Sequence, residues 1–144
     1  MLRLVHVLAL ALVASLAVGV VSAGAQTATS SAPHTVIVKL IERGGSVPYA
    51  FEPASIDVAR GDTVRFVQAA NAPHNVRFTK QAPGAKLGSA STSPYLVAKG
   101  QTYVLVIDGR FTDGNYTYVC DPHEMIGMHG SMTVTGGVVA GGGK

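Results

Sequence analysis

The chain has 144 residues, which is enough for one ordinary domain and too few for two. With 17 Gly, 7 Pro, no Trp and only 13% charged residues, the composition is typical of a small, turn-rich globular domain. The formal charge of +3 is mild, and Lys and Arg are scattered singly, so the composition argues against multidomain machinery and against a nucleic-acid-binding surface.

The first 25 residues are typical of a cleavable secretory signal. Arg3 precedes an apolar stretch over residues 4–21, and Ala23-Gly24-Ala25 supplies the small residues that a signal peptidase recognises. We predict cleavage after Ala25; the alternative is an uncleaved anchor helix, because about 18 apolar residues are marginally long enough to span a bilayer. Arg3 is the only charge removed, so the net charge falls from +3 to +2. The mature protein is therefore predicted to be periplasmic or secreted, without stable membrane insertion.

Composition divides the remaining chain into a leader, a domain and a tail. Residues 26–33 are rich in Thr, Ser and Ala, residues 136–144 are rich in Gly, and neither stretch can bury enough apolar surface to fold. The domain is predicted at residues 34–135. There, apolar and polar residues alternate in short runs that turn pairs such as Gly61-Asp62 separate. This pattern predicts an all-β fold, a Greek-key β-sandwich, in which residues 81–93 could hide a short turn of helix.

The alternation assigns a core face to each predicted strand. The residues predicted to point inward in the first three runs are Val36, Val38, Leu40, Ile56, Val58, Val64 and Phe66. Those predicted to point outward are Asp57, Thr63 and Arg65.

The same alternation directs two chemically distinctive side chains into the sandwich. Val76 and Phe78 face the core, so His74 faces inward at the beginning of its strand. The two tyrosines of residues 116–120 are the large side chains expected inside, so Cys120 also faces inward, at the end of its strand. A thiol and an imidazole are therefore expected at strand ends.

The segment after Cys120 carries two further ligand types. Pro122 forbids continuation of the strand and Gly127 permits a hinge, so a tight loop is predicted that returns His123 and Met128 toward Cys120. Because Cys120 is the only cysteine, it cannot close a disulfide within the chain, and its neighbours favour metal chemistry.

Two His, one Cys and a weak axial Met form the ligand set of a blue-copper electron-transfer site. Zinc accepts Cys and His but gains little from a thioether. A zinc enzyme with an open fourth position stays possible at this stage, although no carboxylate is obviously placed as its general base; Asp121 and Glu124 lie in the loop.

Several segments of the predicted domain share a pattern with a known family. They are Phe51-Glu52-Pro53, Ile56-Asp57-Val58, residues 61–66, Pro73-His74-Asn75 and Cys120-Asp121-Pro122-His123 with Met128. Together they resemble a cupredoxin of the plastocyanin and pseudoazurin type over nearly all of residues 34–135. By position, the resemblance implies four copper ligands: His74, Cys120, His123 and Met128. It also implies that Asn75 ties the His strand to the Cys loop by hydrogen bonds, and it favours Met128 over Met125 as the axial ligand.

Three features depart from the plant plastocyanin pattern. Val119 stands where those proteins carry Tyr before the Cys, no acidic cluster is present, and His129 directly follows the Met. These departures leave the copper ligands intact and concern the partner. Among the other candidates, His34 and His129 are expected to be solvated, and Met132 is expected to pack in the core.

The sequence therefore predicts a type 1 copper protein that carries single electrons between larger redox partners, such as a cytochrome or an oxidoreductase, and that is not an enzyme. The alternative is a protein that stores or delivers copper without redox cycling. A truncated multicopper enzyme domain would need further His clusters, which the sequence lacks. The protein is predicted to be monomeric, and the predicted contact surface near the outer ring edge of His123 consists of Pro73, Pro122, Met125 and Ile126.

Overall fold

A computed structural model describes residues 32–136, in which eight β-strands form two packed sheets. The strands are β1 (Thr35–Glu42), β2 (Tyr49–Glu52), β3 (Ser55–Ala59), β4 (Thr63–Gln68), β5 (Arg77–Lys80), β6 (Thr102–Val106), β7 (Gly114–Val119) and β8 (His129–Thr135). Two 3₁₀ helices accompany them, η1 (Gly88–Ser91) and η2 (Asp121–Ile126). The predicted β-sandwich is confirmed. The predicted signal at residues 1–25, most of the predicted leader and the predicted tail beyond Gly136 lie outside the described residues.

Each sheet contains four strands, in the orders β2-β1-β4-β6 and β3-β8-β7-β5. β1 pairs with β4 and β3 pairs with β8 in parallel, whereas the other neighbours are antiparallel. The predicted inward residues are buried, apart from the partly buried Val36, because one face of each sheet is turned toward the other. Met132 on β8 is also buried, as expected.

An aromatic cluster joins the two sheets in the core. The ring of Tyr118 on β7 meets the rings of Phe51 at 4.9 Å, Phe66 at 5.4 Å and Phe78 at 5.6 Å between centroids, in each case edge to face. Edge-to-face packing is favourable because the positive ring edge meets the negative ring face. Phe51 and Phe66 belong to one sheet and Phe78 to the other, so Tyr118 fixes the sheets to each other two residues before Cys120.

The pairing of β5, β7 and β8 brings four segments to one end of the sandwich: the start of β5, the end of β7, the start of β8 and η2. Because β5 and β7 are antiparallel, Arg77 at the start of β5 lies opposite Val119 at the end of β7. Val119 in turn lies opposite His129, the first residue of β8, and η2 connects those two strands. Within residues 32–136, no helix is long and apolar enough to cross a membrane.

Three local features differ from the sequence-based expectation or refine it. β5 begins at Arg77 and not at His74, because His74 pairs with Leu96 in an isolated antiparallel bridge outside the sheet ladder. The predicted tight loop after Cys120 is the 3₁₀ helix η2. The short helical turn within residues 81–93 is present as η1.

Candidate metal centre

His74 is held in place by the loop that precedes it. The side-chain amide of Gln68 donates hydrogen bonds to the carbonyls of Ala72 at 2.6 Å and of Leu96 at 2.9 Å. A carboxylate oxygen of Glu42 accepts the backbone N–H of Ala72 at 3.3 Å. The backbone of His74 exchanges two hydrogen bonds with Leu96, at 3.1 and 2.7 Å. These bonds explain why the His74 side chain is buried although it precedes the strand.

Backbone hydrogen bonds close the ligand loop into a small ring. The N–H of His123 donates to the carbonyl of Cys120 at 3.0 Å, the N–H of Met128 donates to the carbonyl of His123 at 3.1 Å, and the N–H of Cys120 donates to the carbonyl of Met128 at 3.2 Å. Gly127 ends η2 with φ of 90°, a left-handed conformation that glycine adopts at little cost. The turn there returns Met128 to Cys120, as the sequence predicted.

Three donor atoms, one of them from His74, meet beside this ring. His74 Nδ1 and His123 Nδ1 each lie 3.4 Å from Cys120 Sγ, and the two nitrogens are 3.0 Å apart. A point equidistant from the three atoms lies about 1.9 Å from each of them, close to the 2.0–2.3 Å that first-row metal ions such as zinc keep to imidazole nitrogen and thiolate sulfur. The donor spacing therefore fits a single transition-metal ion.

The two methionines of the loop lie in opposite environments. Met128 is fully buried in the same apolar cluster as Cys120. Met125 is 95% exposed, so its thioether is turned to solvent. Of the two, Met128 is the one whose side chain can serve as a fourth donor.

Burial keeps the metal-free donors neutral. The pKa of His74 is lowered to about 4, mainly because burial disfavours the imidazolium and secondarily because His123 would carry a like charge. Burial also lowers the pKa of His123 and raises the pKa of the Cys120 thiol. At neutral pH both imidazoles therefore offer a lone pair, and binding of a metal ion displaces the thiol proton.

Tyr49, at the start of β2, packs against both imidazole rings. Its ring centroid lies 4.1 Å from that of His123 and 5.0 Å from that of His74. The sequence-based interpretation missed this residue. The signal was available, because alternation places Tyr49 on the same strand face as the buried Phe51, whose motif carries the family resemblance.

A polar network ties η2 to the segment around His74. The side chain of Asn75 accepts the backbone N–H of Asp121 at 2.8 Å and donates to its carboxylate at 2.6 Å, which confirms the hydrogen bonds expected of Asn75. Arg77 donates to the carboxylates of Asp121 and, at 2.9 Å, Glu124. The Arg77 hydrogen bond is the main reason why the pKa of Asp121 is lowered. Arg77 therefore engages both carboxylates of the ligand loop.

The two remaining histidines of the described chain are exposed, as expected, but each has a hydrogen-bond partner. His34 Nδ1 lies 2.8 Å from a carboxylate oxygen of Asp62. His129 Nε2 lies 2.9 Å from the carbonyl oxygen of Glu124, so it contacts the backbone of η2.

Comparison with known proteins identifies the family. Residues 36–135 match the sequence profile of copper binding proteins of the plastocyanin/azurin family. The chain belongs to this family. Plastocyanin of Scenedesmus fuscus is 40% identical to this cupredoxin over 101 residues, which are 69% of this chain and 98% of the relative. The cofactor of this centre is therefore copper.

Solved structures of the family agree with the fold. Oxidised plastocyanin from Dryopteris crassirhizoma has a TM-score of 0.57 and 28% identity, over 69% of this cupredoxin and 100% of the plastocyanin. Pseudoazurin from Methylobacterium extorquens AM1 has a TM-score of 0.51 and 29% identity, over 69% of this chain and 74% of the pseudoazurin.

Proposed function

We propose that this cupredoxin is an exported one-electron carrier whose copper ligands are His74, Cys120, His123 and Met128. The observation that carries the proposal is the largely buried triangle formed by the two Nδ1 atoms and the Cys120 sulfur. Two imidazoles, a thiolate and a weak thioether are the donor set of type 1 copper. Bound copper supplies the Cu(II)/Cu(I) couple, so one electron is accepted from a donor protein and then passed to an acceptor protein.

The surrounding chain keeps the donors in one arrangement. The closed ring of backbone hydrogen bonds from Cys120 to Met128 and the side-chain bonds of Asn75 hold the loop through contacts within the protein itself. A fixed donor arrangement suits electron transfer, because little has to move when the oxidation state changes. The same burial of Cys120 and Met128 disfavours the alternative of copper delivery, since an acceptor protein would have to reach ligands that solvent does not reach.

His123 is the proposed ligand through which electrons pass. It is half-buried, whereas His74 and Cys120 are fully buried. Four apolar residues, which we call the site-end patch, are exposed on the segments next to His74 and on η2: Pro73, Pro122, Met125 and Ile126. We propose this patch as the contact surface for a cytochrome or an oxidoreductase, because exposed apolar surface often marks a contact site and electron carriers use small interfaces.

We propose that the protein is exported, because residues 1–25 have the features of a secretory signal. Their charge, apolar length and small residues at positions 23–25 support a cleavable signal, so the mature protein would reside in the periplasm or outside the cell. In that setting copper is acquired after export.

Titration of the apoprotein with Cu(II) tests the copper centre. An intense visible band is expected, because a Cu(II)–thiolate bond in trigonal geometry gives a strong charge-transfer transition. Cys120→Ser should abolish the band and leave a folded apoprotein, since Cys120 closes no disulfide. A colourless Cu(II) complex of the unmutated protein would falsify the proposed ligand set.

The rate of electron exchange distinguishes an electron carrier from a protein that stores or delivers copper. A carrier should exchange electrons quickly and hold copper in both oxidation states. A delivery protein should instead release Cu(I) when mixed with an acceptor apoprotein, and such release without reversible electron exchange would favour the alternative.

A further inference from the structure

Arg77 connects the segment that carries His74 to the loop from Cys120 to Met128, which carries the other proposed ligands. It is the first residue of β5, three residues after His74. Its guanidinium donates to Asp121 with one nitrogen and to Glu124 at 2.9 Å with another. Asp121 directly follows Cys120 and Glu124 directly follows His123, so one side chain contacts the neighbours of two proposed ligands.

We propose that Arg77 is a positioning residue of the copper centre, which holds η2 so that Cys120 and His123 face His74. This inference rests on the proposed function, because it concerns the ligands named there. It concerns a residue that does not itself touch the donor atoms and acts through Asp121 and Glu124.

The geometry of the guanidinium explains why this position needs arginine. The side chains of Arg77, Asp121 and Glu124 are 33–40% exposed, and partly exposed ion pairs contribute little free energy through charge alone. A planar guanidinium with several fixed N–H donors nevertheless sets the direction of two carboxylates at once. Asn75 holds only Asp121, so Arg77 is the side chain that fixes the Glu124 carboxylate, beside His123.

Copper affinity distinguishes a positioning role of Arg77 from a purely electrostatic one, because the two roles predict changes in affinity of opposite sign when Arg77 is replaced. Removing the positive charge of Arg77 leaves two carboxylates uncompensated, which by charge alone should strengthen binding of a copper cation. Loss of positioning should weaken it, and loss of such outer contacts typically costs 10–100-fold in metal affinity. We therefore expect Arg77→Met to weaken copper binding about tenfold, as measured by competition with a chelator of known affinity.

Arg110 provides a matched control. It pairs with Asp108 at 2.8 Å, and their side chains are 41% and 42% exposed, similar to the Arg77 pairs. Arg110→Met should leave copper affinity unchanged within about twofold, since that pair lies in the turn after β6 and touches no ligand segment. An unchanged or increased affinity of folded Arg77→Met would overturn the proposal.

Amide hydrogen exchange of the apoprotein gives a readout that does not depend on copper. The amides of Cys120, His123 and Met128 donate the bonds that close the ligand loop, so they should exchange faster in Arg77→Met and at the wild-type rate in Arg110→Met. If Arg77→Met does not fold, Glu124→Ala breaks one of the two contacts at a partly exposed position, and unchanged exchange at these amides would equally overturn the proposal. The visible band of the wild-type protein in the same titration reports separately on the proposed function.

Discussion

Met128 and Cys120 are the two proposed sulfur donors, and the structure gives them similar surroundings. Both side chains are fully buried in the apolar cluster, so water does not compete with them for the metal. The thiolate binds strongly, whereas a neutral thioether is a weak and soft ligand that favours Cu(I) relative to harder donors. The balance between the two oxidation states should therefore be most easily adjusted at Met128.

Replacement of this thioether by an amide tests the axial assignment. Met128→Gln should keep the thiolate-to-copper band but lower the reduction potential, because the amide oxygen is a harder donor that stabilises Cu(II). Met125→Gln is the matched control and should leave the potential nearly unchanged, since that side chain is 95% exposed. Cyclic voltammetry of both variants decides the assignment. A large downward shift for Met125→Gln with none for Met128→Gln would reverse it.

At the scale of single residues, alternation and loop chemistry predicted the inward faces of His74 and Cys120 and the return of Met128. Local sequence could not predict Arg77 as a partner of Asp121 and Glu124, because 44 and 47 residues separate them and the register between β5 and β7 decides the contact. Alternation could place Tyr49 on the core face of β2, but its contact with the His123 ring depends on how β2 lies beside η2.

At the scale of elements, the β7–β8 pair carries the ligand loop. Gly130 on β8 lies opposite Tyr118 on β7, and the tyrosine ring covers the glycine. A Cβ added at Gly130 would lie 2.2 Å from Tyr118 Cε2, well inside contact distance. Because Tyr118 also packs on Phe51 and Phe66, its ring cannot move aside without disturbing the aromatic core.

Gly130→Ala should therefore destabilise the protein strongly. Forcing a methyl group into a packed core typically costs about 1–3 kcal/mol, and we expect the upper part of that range here. Gly109→Ala is the control, because nothing lies within 4 Å of a Cβ at Gly109, and its effect should stay within about 0.5 kcal/mol. Denaturant unfolding of both apoproteins measures the difference. Equal midpoints would show that the Tyr118 ring yields easily.

The elements also show where the alternation of apolar and polar residues predicts burial and where it does not. The ladder strands β3 and β4 follow the alternation. Residues 74–76 do not, since all three are buried. The reason is tertiary: the segment around Ser93 and Leu96 bonds to Val76 and His74 and covers the outer side of the chain. Alternation of a single segment cannot show that a distant segment lies over it.

At the scale of the whole molecule, the sandwich presents the copper centre at one end and carries a small net charge. The core aromatic rings join both sheets next to Cys120, so the donor set lies on the buried aromatic core of the domain. With a predicted net charge of +2 after signal removal, long-range steering of partners should be weak. Specificity for a redox partner is then expected to come from the removal of water when an apolar surface is buried at the contact.

A charge placed on the site-end patch should slow protein partners without altering the copper centre. Ile126 is 42% exposed and Met125 is nearly fully exposed, so Ile126→Lys or Met125→Lys should leave the visible spectrum and the potential close to wild type. The bimolecular rate with a c-type cytochrome, and the rate of electron self-exchange, should each fall about tenfold, because desolvation of the added ammonium opposes docking.

Val106→Lys separates the position of the charge from its mere presence. Val106 is 46% exposed, similar to Ile126. It pairs with Thr63 at one end of the first sheet, whereas Gln68 and the loop before His74 lie at the other end. The variant therefore adds the same charge far from the copper centre. Its stopped-flow rates should remain near those of the wild-type protein. If Val106→Lys and Ile126→Lys slow the cytochrome equally, net charge and not the site-end patch controls encounter. If Ile126→Lys instead changes the visible spectrum, that side chain supports the ligand loop, and the docking surface must be sought among the scattered Lys and Arg residues.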